Sequence, residues 1–347
     1  MLDFVSGSAA SVIIGVFGGL LLGLATRLGR FCTLGAIEDL HLAGDTTRIR
    51  MWGVALGASI LLVHLCMALG WLDAGASQYL TLAPDVAAAA IGGLTFGVGM
   101  ALAGNCGLGA LARLGSGEIR SFVIVVVMGL AALATLSGPL APARVALFPQ
   151  DVASEPASLA HGLGSAFGVP ASVIGAGLGL ALLAVSLRGA SRRALWGLPV
   201  ALAIVSGFVG TTLVAAQSFD IVPVRSHTFS APLGETMVWL MLSSGVAPGF
   251  GVGSVLGVLA GACAGSLIRG VFRWEACDDH RELRRQIGGA VLMGVGAVIA
   301  VGCSVGQGLS AFALLAYTAP ITLTCIWLGG VVGLKLMIEG RAGFFRA

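Results

Sequence analysis

Nine stretches of this chain, each close to 20 residues long, are almost free of charge: 8–27, 50–70, 86–104, 119–138, 170–187, 195–216, 249–268, 285–302 and 320–338. A bilayer's hydrocarbon core of about 30 Å takes roughly 20 apolar residues per helix. Backbone groups left unpaired in lipid are so costly that only helices and closed barrels cross it. The pattern therefore predicts an all-α polytopic membrane protein with about nine transmembrane helices. Composition agrees, since 57% of the 347 residues are hydrophobic and 10% are charged, against about 25% charged in soluble domains. Too few charges remain to solvate a separate domain outside the bilayer. The opening segment, MLDFVSGSAA, lacks a basic n-region and reads as the start of a first span, not as a signal peptide.

The basic residues test this division. Eighteen of the 19 are arginine, and Lys335 is the one lysine. With nine crossings, every Lys and Arg except Arg144 and Arg225 falls on one side of the membrane. The positive-inside rule makes that side cytoplasmic, with the N-terminus outside and the C-terminus inside. No basic stripe with interleaved aromatics is present, which argues against nucleic acid as a partner. The seven cysteines form no CxxC pair and no Cys/His cluster at zinc spacing, so neither a metal site nor a cofactor is expected.

Between the spans lie four apolar pieces too short to cross: 33–43, 107–115, 231–244 and 306–317. Each follows a break. Val98–Gly109 aligns with Val295–Gly306 at an offset of 197, matching Val, Gly, Ala, Cys and Gly. An offset of 198 sets Arg30-Phe31-Cys32-Thr33 on Thr228-Phe229-Ser230-Ala231. These matches predict two related halves, 1–140 and 194–347, each with four spans and two short re-entrant helices. The segment 141–193 supplies a loop and a connecting span. One odd connecting span inverts the second half, and inverted repeats with interrupted helices build a substrate site near the bilayer midplane.

Cys32, Cys106, Ser230 and Cys303 then stand at the starts of short helices. Helix N-termini present unpaired N–H groups and about half a positive charge, a setting that attracts anions without a buried lysine or arginine. Thiols are weak donors and polarisable neighbours, suited to a sulfur-bearing anion over a strongly hydrated one. Glycines at 104, 107, 109, 302 and 306 allow close approach of backbone and ligand. Cys66, Cys263 and Cys325 lie inside continuous spans and read as small hydrophobes. Cys277, beside Asp278, Asp279 and His280, reads as part of a solvated loop, and His64 as a hydrogen-bonded interior histidine. Glu38 and Asp39 are expected to pair with Arg48 or Arg50. Arg225, just ahead of Ser230, is placed to collect anions at the outer mouth.

The segments Arg30-Phe31-Cys32-Thr33-Leu34-Gly35-Ala36, Gly104-Asn105-Cys106-Gly107-Leu108-Gly109 and Gly302-Cys303-Ser304-Val305-Gly306 resemble the YeeE/YedE family of sulfur-transport membrane proteins. The resemblance runs over nearly the whole chain and is weakest at 139–169. It implies nine spans of inverted-repeat design and inward passage of thiosulfate across the bacterial inner membrane. It also implies a path on which Cys32, Cys106 and Cys303 hand the ion along. Gly104, Asn105, Gly107, Gly302 and Ser304 flank those cysteines in the same motifs. Asn105 departs from the small residue expected before the cysteine and would narrow or polarise the path. A small cytoplasmic sulfurtransferase-like partner at the inner mouth is a further implication.

Two other classes stay open on the residues alone. A membrane-embedded sulfurtransferase or thiol redox protein needs an activating base, and no His or Lys stands near the three cysteines in sequence. A non-transporting subunit could recruit a cytoplasmic sulfur carrier through the Arg269–Arg285 loop. Buried acidic residues are nearly absent from the spans, so the sequence offers no coupling site for an ion gradient.

Overall fold

The computed structural model describes residues 7–153, 155–218, 222–275 and 280–344, with side chains described up to residue 338. Among the described residues the chain is helical throughout and holds only isolated β-bridges. The first half contains α1 (Gly7–Leu28), α2 (Thr33–Glu38), α3 (Thr47–Ala68), α4 (Gln78–Thr81), α5 (Val86–Ala103), α6 (Gly107–Gly115) and α7 (Ile119–Leu136). Then come α8 (Ala141–Leu147), α9 (Leu159–Phe167) and α10 (Ala171–Leu187). The second half contains α11 (Gly197–Gln217), α12 (Ala231–Met241), α13 (Phe250–Ile268), α14 (His280–Ile299) and α15 (Thr318–Phe344). Five-residue or six-residue π-helical turns follow α2, at Asp39–Ala43, and precede α15, at Gly306–Ala311.

All nine apolar stretches are helices. By length and composition, α1, α3, α5, α7, α11, α13 and α15 can each cross a membrane, and α9 with α10 makes an eighth candidate bent by 118°. Two helices differ from a full-length span for visible reasons. Helix α10 has 17 residues, because Gly168 at φ 67° ends α9 and the chain restarts only after Pro170, its N-cap. Helix α14 opens on Arg281, Glu282, Arg284 and Arg285, so its apolar part is short. That part packs on α5 and α7 inside the bundle, where lipid thickness does not set its length.

Loops from alternate turns of the chain meet at opposite ends of the bundle. At one end backbone bridges join Ser77 to Val224, Leu82 to Val152 and Ser158 to Ala316; at the other, Glu118 joins Glu275. That second end also holds the pairs Arg120–Glu282 at 3.4 Å and Arg48–Asp39 at 3.2 Å. The Asp39 pairing with Arg48 meets the expectation, while Glu38 faces a cavity described below.

Small residues determine how closely the helices approach. In lipid, association rests on packing and not on expelled water, so glycine seams let backbones touch. Gly15, Gly19 and Gly23 of α1 face Gly253, Gly257 and Gly261 of α13. A Cβ on Gly19 would stand 2.3 Å from the Ser254 carbonyl, and one on Gly257 2.3 Å from that of Val16. Helix α5 is sandwiched the same way: Gly97 meets α15 and Gly99 meets α14, with a Cβ at 2.2 and 2.6 Å from backbone oxygens of Ile326 and Gly289. The interior histidine expectation holds at His64, whose Nδ1 lies 2.9 Å from the Ile60 carbonyl. Its ring fills the space a side chain at Gly175 of α10 would need.

Candidate functional site

Each short helix begins after a break that the local sequence explains. Helix α5 ends at Gly104, whose φ of 75° is the left-handed conformation that stops a helix. Cys106 then takes an extended conformation and α6 restarts at Gly107. At the related position of the second half, Val301 holds φ 56°, a strained conformation for a β-branched residue. Arg30 does the same before Cys32, at φ 59°.

The thiols take part in the restarts. Cys32 is the N-cap of α2 and its Sγ accepts the Gly35 N–H at 3.4 Å. Cys303 Sγ accepts the Gly306 N–H at 3.5 Å and the Phe229 N–H at 3.2 Å, with the Thr228 hydroxyl at 3.6 Å. Cys106 precedes Gly109 by the same three residues; a Cβ on Gly109 would lie 3.8 Å from its Sγ, although no side-chain cap bond closes there. All three therefore sit in a Cys-x-x-Gly frame: Cys32-Thr33-Leu34-Gly35, Cys106-Gly107-Leu108-Gly109 and Cys303-Ser304-Val305-Gly306. Sequence reasoning missed this frame, though its signal was present. A side-chain acceptor three residues ahead of an N–H is the ordinary N-cap geometry, and here sulfur fills that role. With its lone pairs occupied, the S–H of such a thiol is free to point elsewhere.

Cys303 does not directly start a short α-helix: two turn residues intervene and the chain enters a π-helical turn at Gly306, with the Ser310 N–H bonded to the Val305 carbonyl. Ser230 is the N-cap residue of α12, 3% exposed, without a side-chain cap bond.

Contacts link the breaks. A Cβ at Gly107 would meet the Phe229 carbonyl at 2.7 Å, and one at Gly306 would meet Thr228 Oγ1 at 2.5 Å. The Cys106 thiol lies within electrostatic range of both Cys32 and Cys303, with Ser304 alongside. Phe31 stacks on Trp52 with ring centroids 4.9 Å apart, fixing the strand of chain ahead of Cys32. Cys106 and Cys303 are buried, at 2% and 1% exposure, while Cys32 is half-buried.

Cys32 opens on a cavity of about 510 Å³ lined by Arg27, Arg30, Arg48, Arg113 and Arg269, with Glu38 and Asn105. The five arginines come from four separate segments, so their convergence was invisible in the sequence. Asn105, Gly104 and Gly109 line its wall. Asn105 is 2% exposed and its Oδ1 has no hydrogen-bond partner. Ser304 Oγ is likewise buried and unpartnered. Gly302 packs beside Gln307. Arg225, expected to collect anions, is engaged with Glu235 at 3.2 Å. Cys277, Asp278 and Asp279 lie outside the described residues, whereas Cys66, Cys263 and Cys325 sit within α3, α13 and α15.

These features define a multi-pass, all-α membrane protein whose helices are interrupted inside the bundle. The chain belongs to the Sulphur transport family, the YeeE/YedE proteins, whose model matches residues 28–332. It is similar to the thiosulfate transporter TsuA of Escherichia coli (strain K12), 26% identical over 344 residues covering 92% of each chain. It is also similar to the thiosulfate transporter TsuA of Spirochaeta thermophila, 27% identical over 321 residues, covering 88% of this chain and 92% of the relative. Both relatives are named as transporters, not as enzymes.

Proposed function

We propose that this chain carries thiosulfate, or a closely related sulfur-containing anion, inward across the bacterial cytoplasmic membrane along a path lined by Cys32, Cys106 and Cys303. The observation that carries this reading is the repeated Cys-x-x-Gly start. At Cys32 and Cys303 it sets the sulfur on the N–H of the glycine three residues on and leaves the S–H available to an anion, while Cys106 keeps the spacing without that bond. Burial makes such weak donors effective, because water does not compete there. Among the described residues no lysine or arginine bonds to Cys106 or Cys303, so the ion is not held too tightly to leave. The arginine-lined cavity beyond Cys32 then receives it.

The two halves act as inverted repeats, 1–140 and 194–347, with 141–193 between them. Support comes from matched packing: α1 lies on α13 as α11 lies on α3, and α5 on α15 as α14 on α7. Helix α12 meets α7 and α13 as α2 meets α15 and α3. The end carrying the arginine cavity is cytoplasmic, in keeping with the positive-inside rule. A small sulfurtransferase-like protein docking there would consume the ion and keep the gradient inward. The chain itself performs no catalytic step and works as a channel-like facilitator.

Growth of a sulfate-uptake-deficient bacterium on thiosulfate tests the proposal. The parent chain is expected to restore growth, and Cys106→Ala and Cys303→Ala to abolish it. Undiminished growth with both variants, expressed at parental levels, overturns the cysteine path.

A further inference from the structure

At the end of the bundle opposite the arginine cavity, a second and much smaller recess has no role so far. It lies between α4, the N-terminus of α5, α8 and the break at Val301, and Arg144, Gln78, Gln150, Tyr79 and Gln307 line it together with Asp85. Its volume is about 40 Å³; since one water needs roughly 10–15 Å³ on this measure, it holds about three waters or one small ion. Two polar groups here are unsatisfied, of which only the Arg144 nitrogen is a donor that an anion could take up. Arg144 Nε is buried without a hydrogen-bond partner, and among the described residues Arg144 makes no ion pair. Gln307 is 2% exposed and its Oε1 has no partner, while its Nε2 is tied to the Ala300 carbonyl at 2.7 Å. Asp85, the one carboxylate on the wall, is occupied as the N-cap of α5, accepting the Ala88 N–H at 3.0 Å.

A buried guanidinium nitrogen without a partner is costly, and the group is geometrically suited to an oxyanion. The recess also abuts the cysteines. Gln307 donates its backbone N–H to the Cys303 carbonyl at 2.8 Å. A Cβ on Gly306 would stand 3.2 Å from the Tyr79 hydroxyl on one side and 2.5 Å from Thr228 Oγ1 on the other. Thr228 in turn contacts the Cys303 thiol. Arg144 belongs to the segment 139–169, where the family resemblance is weakest, so this feature is read from the chain itself.

We infer that this recess is a loading site for a small, doubly charged oxyanion, in which Arg144 supplies the charge and Gln78, Gln150 and Tyr79 the remaining donors, one step outside Cys303. The inference deepens the transport reading and rests on it for the direction of movement, though not for binding. Arg225, the other basic residue at this end, is paired with Glu235 at 3.2 Å, whereas Arg144 is not paired among the described residues.

The test is saturation kinetics of thiosulfate uptake in proteoliposomes, set beside calorimetric titration of the purified protein with thiosulfate and with sulfate. Losing one charged hydrogen-bonding partner corresponds to roughly a ten- to hundredfold loss of affinity. Arg144→Gln is therefore expected to raise both KM and Kd by at least about tenfold with little change in maximal rate, while Arg144→Lys, which keeps the charge but not the planar fork, falls between Arg144→Gln and the parent. Gln150→Ala, at an exposed position, is expected to raise KM and Kd in the same direction and covers the case in which Arg144→Gln fails to fold. Parental KM and Kd in Arg144→Gln, or in Gln150→Ala if only that variant folds, overturn the site. Should the parent bind thiosulfate but move none, the transport reading falls and the site stands. Should the parent move thiosulfate while Arg144→Gln keeps its KM, the site falls and the transport reading stands.

Discussion

Replacing Cys303 separates the structural duty of a thiol from its service on the path. Its sulfur is the acceptor for the Phe229 N–H at 3.2 Å, and Phe229 is fully buried. Cys303→Ala leaves that donor without a partner in a water-free interior, a loss of about 1–3 kcal/mol. The Gly306 N–H, at 3.5 Å, loses a weaker contact, so the destabilisation lies toward the upper part of that range. Cys303→Ser retains an acceptor at nearly the same place, and Ser230 shows that a serine is accommodated at one of the related breaks. Serine is therefore expected to recover most of the lost stability. It also replaces a polarisable S–H by a harder, better hydrated hydroxyl, so transport of a sulfur-bearing anion is expected to remain strongly reduced. Thermal unfolding in detergent, run beside uptake in proteoliposomes, gives both numbers on the same preparations. If Cys303→Ser restores uptake along with stability, the thiol is a helix cap and nothing more, and the reasoning fails.

Other expectations follow from packing and access. Gly19→Val should sharply lower folded yield, because its Cβ would stand 2.3 Å from the Ser254 carbonyl and overpacking costs about 1–3 kcal/mol or more. Gly288→Ala, with open space around it, should be neutral or raise the melting temperature, as helix propensity favours alanine by about 0.8–1.0 kcal/mol; fluorescence-detected size exclusion separates the two outcomes. A membrane-impermeant maleimide applied from the arginine side should label Cys32 well ahead of Cys106 and Cys303, given their burial; equal rates would contradict that burial. Val301→Gly relieves a β-branched residue at φ 56°, worth about 1–2 kcal/mol, against glycine's entropy cost of about 0.5–1 kcal/mol, so thermal stability should rise by about 1 kcal/mol at most.

The membrane architecture was legible because lipid imposes one rule on every span. All nine apolar stretches are helices, and the short pieces at 33–43, 107–115 and 231–244 begin within a residue of α2, α6 and α12. The shortfall lay at α10 and α14, where neighbouring helices rather than lipid determine how much apolar length is needed. Helices α8 and α9 went unread because the 139–169 segment is mixed in polarity and carries no clear period. The cysteine starts were visible as breaks, yet the glycine three residues after each thiol meant nothing until the sulfur-to-N–H geometry was seen. Arginine positions could be sorted by side but not by cavity: Arg30, Arg48, Arg113 and Arg269 are far apart in the chain and meet only through the fold. Arg144 was simply one of two basic residues on the sparse side; its burial and lack of a partner are properties of tertiary structure.

The central claim is that this chain alone moves a sulfur-bearing anion through its thiols, and uptake of radiolabelled thiosulfate into liposomes holding only this protein tests it most directly. The account predicts saturable uptake above empty liposomes without any cytoplasmic partner, abolished by prior alkylation of Cys106 and Cys303 but not by alkylation of Cys66, Cys263 or Cys325. Folded, correctly inserted protein that moves thiosulfate no faster than empty liposomes, or uptake indifferent to alkylation of Cys106 and Cys303, would contradict it.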